Sequence, residues 1–385
     1  MTRANIDHQK TEFEGSVLQQ LSTLDRFLPV WIGVAMAVGL LLGRAFPGLN
    51  DQLDRVKIDT TSLPIAVGLL GMMYPVLAKV RYDRLQRVTA DRPLVISSLL
   101  LNWVVGPALM FTLAWLLLPD LPEFRTGIIL VGLARCIAMV LIWNTLACGD
   151  REAAAVLVVL NSVFQVGAYA FLGYFYLELL PGWLGLEKTS VDFAFWDIAK
   201  SVLIFLGLPL VLGFLTSFVG RRKKGDQWYD ERFLPRIGPL ALYSLLFTIV
   251  VLFAIQGDAI TSQPWDVARI AVPLVCYFAL MWTTSFAWGK LQGLDYARTT
   301  TLAFTAAGNN FELAIAVAIG TFGVQSGQAL AGVVGPLIEV PALVTLVYVA
   351  LWARRRYFRD EGAAPGSTPR AGAPDEMVAS GETER

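Results

Sequence analysis

The first residues that could do chemistry are an adjacent arginine and cysteine in the apolar stretch GLARCIAMVLIWN, residues 132–144. Charge is costly in hydrocarbon, so Arg135 in such a stretch points to function. A nearby guanidinium favours the thiolate form of a cysteine, and thiolate sulfur selects soft, thiophilic ligands. Cys136 is therefore the leading candidate ligand, with a small buried hydrophobe as the structural alternative.

Two glutamates stand inside other apolar stretches. Glu312 follows two asparagines in TAAGNNFELA, and Glu339 lies between Pro336 and Pro341 in GPLIEVPALV. Burial disfavours a charged carboxylate, which lets such a group exchange a proton near physiological pH. We expect both glutamates to take part in proton coupling. A static ion pair of Glu312 with Arg135, and hydrogen bonding of Glu339 to freed backbone groups, stay open as alternatives.

These residues must be positioned by membrane-spanning helices. The 385-residue chain is 55% hydrophobic and only 16% charged, against about 25% charged residues in soluble proteins. No apolar segment has a consistently polar face, which argues against a soluble helical protein. Ten segments are long enough to cross a bilayer: 28–46, 61–80, 94–118, 126–147, 152–178, 197–219, 238–257, 267–288, 299–323 and 328–352. The sequence predicts an all-α polytopic membrane protein.

The loop charges predict the orientation in the lipid bilayer. Basic residues cluster in alternate connections, at 79–92, 221–236, 290–298 and 354–359. Because positively charged loops stay in the cytoplasm, both termini are predicted to be cytoplasmic. The polar segment 1–26 is then a cytoplasmic N-terminal segment. The Ala-, Gly-, Pro- and Glu-rich residues 360–385 form a cytoplasmic tail predicted to be disordered.

A weak internal repeat relates the two halves of the chain. Shifting the sequence by 174 residues overlays 132–166 on 306–340 and places Cys136 on Asn310. Five spans per half give the halves opposite orientations, as in inverted-repeat transporters. We therefore predict a first five-helix repeat at 27–180 and a second, inverted one at 197–355. Weak helix formers at GLARC and GNN predict that the fourth and ninth helices are broken and cross at the centre.

Several classes of protein are disfavoured. The chain lacks a GxxxxGK[ST] motif, so energy is expected from an ion gradient or from a soluble partner ATPase, which the sequence leaves open. Three cysteines and one histidine predict neither a disulfide framework nor a Cys/His zinc site. No cofactor, nucleic-acid partner or enzymatic activity is predicted. Asn144, Asn161 and Gln165 are expected to form interhelical hydrogen bonds.

Two segments resemble the signature segments of a known family. GLARCIAMVLIWNTLACGDREAAAVLVVLNSVFQ and FTAAGNNFELAIAVAIGTFG are similar to those of the Acr-type arsenical-resistance (arsenite efflux) permeases, within the bile acid:sodium symporter superfamily. The resemblance spans residues 25–355. It implies ten helices in two inverted five-helix repeats with crossed, broken fourth and ninth helices. It also implies efflux of arsenite, and in some members antimonite, coupled to inward proton movement across the bacterial inner (plasma) membrane.

The resemblance also assigns roles to residues. The family's essential cysteine matches Cys136, as the arsenic(III) ligand, and its essential glutamate matches Glu312. Gly308 departs from the serine found in many members. Arsenite at neutral pH is an uncharged trihydroxide, so Asn309 and Asn310 are placed to hydrogen-bond its hydroxyl groups, and Arg135 joins them in the expected binding set.

Other functions remain as alternatives at this point. A sodium-coupled symporter for an organic, bile-acid-like anion is the main one, although such a substrate needs no thiol. A membrane-embedded thiol enzyme and a metalloid sensor that binds without transport are two further alternatives.

Overall fold

The computed structural model describes residues 27–46, 57–58, 61–80, 91–186, 195–262 and 264–358. Within these residues the chain is helical, apart from a hairpin of two short antiparallel strands, β1 (Lys57–Ile58) and β2 (Thr61–Ser62). The predicted N-terminal segment and tail lie outside the described residues.

The helices divide evenly between the two halves of the chain. The first half contains α1 (Leu28–Ala45), α2 (Leu63–Ala78), α3 (Arg92–Leu117), α4 (Pro122–Leu133), α5 (Met139–Leu146) and α6 (Arg151–Trp183). The second contains α7 (Phe195–Lys224), α8 (226–262), α9 (Pro264–Leu291), α10 (Tyr296–Ala307), α11 (Phe311–Phe322) and α12 (Gly327–Tyr357). Among the described residues, α3, α6, α7, α8, α9 and α12 are long and apolar enough to cross a bilayer, and α1, α2 and α11 are shorter apolar helices. The chain is a multi-pass membrane protein.

Prolines widen four of the long helices without breaking them. Within the described residues, π-helical stretches occur at Leu101–Val105, Phe175–Leu179, Leu203–Gly207 and Tyr229–Phe233. Each stretch is followed two residues later by a proline, namely Pro107, Pro181, Pro209 and Pro235. A proline lacks an N–H and its ring clashes with the carbonyl four residues earlier, so the preceding turn widens. Proline alone therefore does not end these helices.

The helices pack as two groups. In the smaller group (α1, α2, α7 and α8), α8 packs along α1 and α2, and α7 packs against α2. In the larger group (α3–α6 and α9–α12), α12 packs against α4, α9 and α11, and α9 packs against α3 and α10. The two groups meet where the first half of α7 contacts α6 and α11.

Two helices are interrupted where the sequence predicted it. The predicted fourth span is divided into α4 and α5, and the predicted ninth span into α10 and α11. The links 134–138 and 308–310 are not helical, and they pair in antiparallel fashion at Arg135 and Asn309. The N–H of Cys136 donates to the carbonyl of Gly308 over 3.2 Å, and that of Asn310 donates to the carbonyl of Ala134 over 3.1 Å. The predicted breaks are therefore observed, and the broken helices cross each other.

The two interrupted helices run in opposite directions. Tyr296, at the start of α10, donates its hydroxyl to the carbonyl of Ala147, just after α5, over 2.7 Å. The N–H of Asp150 donates to the carbonyl of Ala297 over 3.2 Å. Hence α10 begins at the end of the molecule where α5 finishes. Moving the bounds of α4 by 174 residues gives the bounds of α10.

Candidate functional site

A cavity of about 380 Å³ lies between the two helix groups, beside the crossing of the two links. The smaller group supplies an apolar wall from α2 and α8, including Met72, Met73, Val76, Leu242 and Leu245. The larger group supplies both links, parts of α5 and α6, and one side chain each from α11 and α12. One wall is therefore apolar, and the opposite wall carries the groups that could bind a ligand.

Cys136 lies in the 134–138 link and lines this cavity. Its side chain is buried, and its Sγ accepts the N–H of Val140, in the first turn of α5, over 3.4 Å. Helix N-termini favour negative charge, because their first N–H groups have no intrahelical partner. The link thus presents a sulfur ligand at the N-terminal end of α5.

Both predicted glutamates line the same cavity. Glu312 is in the first turn of α11, and Glu339 lies midway along α12. The two carboxyl groups are near enough to interact electrostatically with each other and with Cys136. The Oε1 of Glu339 is buried without a hydrogen-bond partner among the described residues. The structure therefore brings three of the four candidate ionisable groups of the sequence to the lining of one cavity.

Each of the two asparagines has one buried amide atom without a hydrogen-bond partner among the described residues. Asn309 donates its Nδ2 to the carbonyl of Val131 over 2.8 Å, and its Oδ1 has no partner among the described residues. The Oδ1 of Asn310 caps α11 by accepting the N–H of Leu313 over 3.0 Å, which leaves its Nδ2 without a partner within the described part of the chain. Both residues line the cavity, so an unpartnered acceptor and an unpartnered donor belong to side chains of its lining.

Arg135 is placed differently from the other candidates. It is 0% exposed and is not among the residues that line the cavity. Its Nη1 donates to Tyr277 Oη over 2.8 Å and to the carbonyl of Ala306 over 3.2 Å, and its Nη2 donates to the carbonyl of Gly132. The guanidinium thus lies at the C-terminal ends of α4 and α10.

Sequence reasoning missed the methionines of the site. Met72, Met73 and Met139 line the same cavity as Cys136, so three thioether side chains share its lining with the thiol. Methionine in an apolar span is usually a filler of irregular gaps, so composition gives no signal for this role. A signal would have required knowing which helix faces the break.

The expected interhelical amides are partly observed. Asn144 accepts the Thr301 hydroxyl over 2.9 Å, and Gln165 Oε1 accepts the backbone N–H of Arg135 over 3.2 Å. The first bond joins the two broken helices, α5 and α10, and the second joins α6 to the link 134–138. Asn161 is buried with no partner for its amide among the described residues.

A ligand cavity at two broken, crossed helices between two packed groups is the arrangement of a secondary transporter. Comparison with known proteins agrees with this class. The model of the Sodium Bile acid symporter family matches residues 66–263. The chain is 57% identical over 348 residues to the Arsenical-resistance protein Acr3 of Corynebacterium glutamicum, covering 90% of this chain and 94% of that protein.

Two further relatives match most of the chain. An uncharacterized transporter of Synechocystis sp. is 34% identical over 359 residues, 87% of this chain and 91% of that protein. The Arsenical-resistance protein Acr3 of Alkaliphilus metalliredigens is 30% identical over 336 residues, 85% of this chain and 92% of that protein. The chain belongs to the arsenical-resistance permeases within the Sodium Bile acid symporter family. The resemblance seen in the two signature segments is thereby confirmed.

Proposed function

We propose that this protein exports arsenite from the cytoplasm, coupled to inward movement of protons across the bacterial inner membrane. The observation that carries the proposal is the convergence of Cys136, both glutamates and both asparagines on one cavity beside the crossed helix breaks. Two relatives that cover most of the chain are named as arsenical-resistance proteins.

The fold proposed for this function is an inverted repeat of five helices at 27–180 and five at 197–355, counting each broken helix once. Three observations support it. The bounds of α4 shifted by 174 residues are those of α10, the C-terminal ends of α3 and α6 shift onto those of α9 and α12, and the broken helices run in opposite directions. Such repeats allow one helix group to rock against the other around a central site.

The cavity suits a small neutral trihydroxide. The Cys136 thiol condenses with arsenite to give a sulfur–arsenic bond, and the thiol hydrogen leaves with one hydroxyl group as water. Soft sulfur is the fitting donor for this thiophilic element, and the process is reversible. The free Asn309 Oδ1 accepts from one remaining As–OH group, and the free Asn310 Nδ2 donates to the oxygen of the other. We extend the same chemistry to antimonite.

The carboxyl groups provide the proposed proton coupling. Glu312 and Glu339 line the same cavity, and two like charges close together in an apolar environment cost free energy, so we assign the coupled proton to this pair. Arsenite binds with the pair deprotonated. A proton from outside then neutralises a glutamate, arsenite leaves, and the protonated carrier returns. One neutral molecule leaves for each proton that enters, so the cycle carries charge.

The cavity is proposed to open to the cytoplasm in this conformation. Lys79 at the end of α2 and Gly238 in α8 line it at the side of the basic connections 79–92 and 221–236. Positively charged connections lie in the cytoplasm, which also places both termini there. The structure then corresponds to the state that loads substrate.

A sodium-coupled carrier for an organic anion fits this site less well. The acidic residues of the lining, Glu312 and Glu339, lie beside Cys136 at the crossing, whereas Lys79 lines the end of the cavity near the basic connections. A carboxylate substrate next to two glutamates would meet like charge. A thiol contributes nothing to binding such a substrate.

The deciding experiment measures radioactive arsenite uptake into everted membrane vesicles under an imposed inside-acidic, inside-positive gradient. We expect uptake by the wild type, its loss with protonophore, and its loss in Cys136→Ser. Cys276→Ser is the matched control, because Cys276 is not among the cavity-lining residues. Glu312→Gln and Glu339→Gln, assayed in parallel, identify the residue that couples the proton.

Two results would overturn the proposal. Gradient-driven uptake in Cys136→Ser at the wild-type rate would remove the thiol from the mechanism. Wild-type vesicles that take up an organic anion only when sodium is present, and that take up no arsenite, would support the sodium-coupled symporter instead. Because the assay contains no ATP, uptake under these conditions also shows whether a soluble ATPase is required.

A further inference from the structure

Arg135 and Cys136 are neighbours in sequence but point to opposite sides of the crossing. The link is extended, with Ala134 at φ −86° and ψ 124°, and Arg135 pairs with Asn309 as in a β-bridge. Successive side chains of extended backbone point in opposite directions. Cys136 therefore faces the cavity, whereas the Arg135 side chain is buried within the larger group.

On that buried side the C-termini of two helices converge. The last carbonyls of a helix lack intrahelical partners, and each C-terminus carries the equivalent of about half a negative charge. Near the end of α4 the carbonyl of Gly132 accepts Arg135 Nη2, and near the end of α10 the carbonyl of Ala306 accepts Nη1. The guanidinium of Arg135 thus balances the partial negative charges at the C-terminal ends of both α4 and α10.

The surroundings of the guanidinium are shaped to hold it. Tyr277 on α9 accepts from Nη1 over 2.8 Å, and its hydroxyl lies 3.5 Å from the carbonyl of Ala306. Gly106 on α3 leaves the space, because a Cβ there would lie 2.9 Å from Nη1 and 3.1 Å from Tyr277 Oη. Four helices of the larger group, α3, α4, α9 and α10, therefore meet at this one side chain.

We infer that Arg135 is a tethered cation that joins the C-terminal ends of α4 and α10 and thereby positions Cys136, and that it does not bind substrate. The two sides of the crossing carry side chains of different charge. The helix C-termini meet the guanidinium, whereas the N-termini of α5 and α11 lie with the thiol and Glu312 at the cavity. The inference rests on the proposed function only in taking Cys136 as the substrate ligand.

The test begins with thermal unfolding of the purified, substrate-free protein. Arg135→Ala should lower the unfolding midpoint by several degrees, since two helix ends then carry uncompensated carbonyls. Millimolar guanidinium chloride should restore part of the loss, and tetramethylammonium chloride at the same concentration should not. Cys136→Ser should keep the wild-type midpoint in both salts. These readouts need no transport, so they stand even if arsenite is not the substrate.

Transport then separates positioning from binding. Tyr277→Phe keeps the guanidinium but removes one of its partners, and it serves if Arg135→Ala cannot be purified. We expect a lower midpoint and a reduced maximal rate of arsenite uptake at an unchanged KM. An unchanged midpoint for either variant together with a raised KM would show that the guanidinium contacts substrate, and would overturn the inference. So would guanidinium that leaves the Arg135→Ala midpoint unaffected.

Discussion

Gly308 is the residue of the crossing where this chain departs from the pattern expected for the family. Its backbone, at φ −71° and ψ 138°, is open to any residue, so the glycine is not needed for its conformation. A Cβ at this position would lie 3.0 Å from Cys136 Cβ and 3.7 Å from Sγ. The size of residue 308 therefore determines how much space is left beside the Cys136 thiol.

Substitutions at Gly308 should act through that space. We expect Gly308→Ser to retain arsenite uptake, because the added Cβ needs a shift of only a few tenths of an ångström. Gly308→Leu should abolish uptake while the protein still inserts, because its side chain fills the volume in front of Sγ. Uptake rates in everted vesicles, normalised to the amount of folded protein, give the comparison. Full activity of Gly308→Leu would show that substrate does not occupy this side of the sulfur.

The sequence identified the residues of the site but not the directions in which their side chains point. Cys136, Glu312 and Glu339 are visible because ionisable groups in apolar spans are rare. The angle between the Arg135 and Cys136 side chains depends on backbone dihedrals, because neighbouring side chains lie about 100° apart around a helix and about 180° apart in an extended link. The predicted membership of Arg135 in the binding set rested on adjacency alone, and the structure places its guanidinium on the other side of the crossing.

The packing of α12 against α11 fixes the position of Glu312 along the helix axis. Gly335 on α12 faces Phe311, the residue before Glu312, and a Cβ at 335 would overlap the Phe311 ring. Phe311 is 1% exposed, so its ring has nowhere to move without displacing α11. The contact therefore links α12 directly to the start of the helix that carries the glutamate.

We expect Gly335→Ala to destabilise the protein by about 1–3 kcal/mol, the usual cost of overpacking a core. It should also reduce arsenite uptake, because Phe311 pushes Glu312 out of register. Gly167→Ala on α6 is the matched control, since nothing lies within 4 Å of a Cβ there. Midpoints of thermal unfolding for the two variants test this. Equal midpoints would mean that α11 and α12 separate easily.

The connection between α3 and α4 is tied to the start of α9 by an exposed ion pair. Arg269 donates from Nη1 to Asp120 Oδ2 over 2.7 Å, and this guanidinium lowers the pKa of the Asp120 carboxyl to about 2. A group whose pKa is lowered by folding stabilises the folded state above its ordinary pKa of about 3.9. That stabilisation is lost as the pH falls toward 2.

Asp120→Asn should therefore lower the unfolding midpoint slightly, and by the same amount at every pH from 5 to 8. Exposed pairs contribute little and are screened by salt, so the difference should shrink in high salt. Unfolding of wild type and variant in matched buffers measures it. A difference that changes between pH 5 and 8 would mean that another titrating group depends on this contact.

Element boundaries were predictable to different degrees for physical reasons. The break at 308–310 was visible because glycine and asparagine are weak helix formers, whereas Gly132, the weak helix former of GLARC, lies inside α4 and only marks the neighbourhood of the other break. The helix that contains the predicted seventh span, 238–257, is longer than that span, because α8 continues over 226–262 through charged residues that hydropathy excludes. Which helices face the cavity could not be read from α2 or α8, since their apolar residues fit lipid and protein contacts equally well.

The two helix groups must move against each other for a substrate at the crossing to reach the opposite side. On the side away from the basic connections they meet at α7 and α11, where Ser201 lies against Gly320. A Cβ on Gly320 would lie 3.1 Å from Ser201 Cβ, close to the separation of about 3.5–4.5 Å found in disulfides. If the cavity opens to the cytoplasm, this contact is the seal on the outer side and has to part during transport.

A disulfide across that seal should stop the cycle in the loading state. In a chain carrying Ser201→Cys and Gly320→Cys, with Cys148 and Cys276 replaced by serine, oxidation should abolish arsenite uptake into everted vesicles. Binding from the cytoplasmic face should persist, since the cavity stays open, and a reducing agent should restore uptake. Each single variant, oxidised in parallel, controls for damage to Cys136. Undiminished uptake by the fully crosslinked protein would show that α7 and α11 stay together throughout transport, and the path outward would then have to run elsewhere.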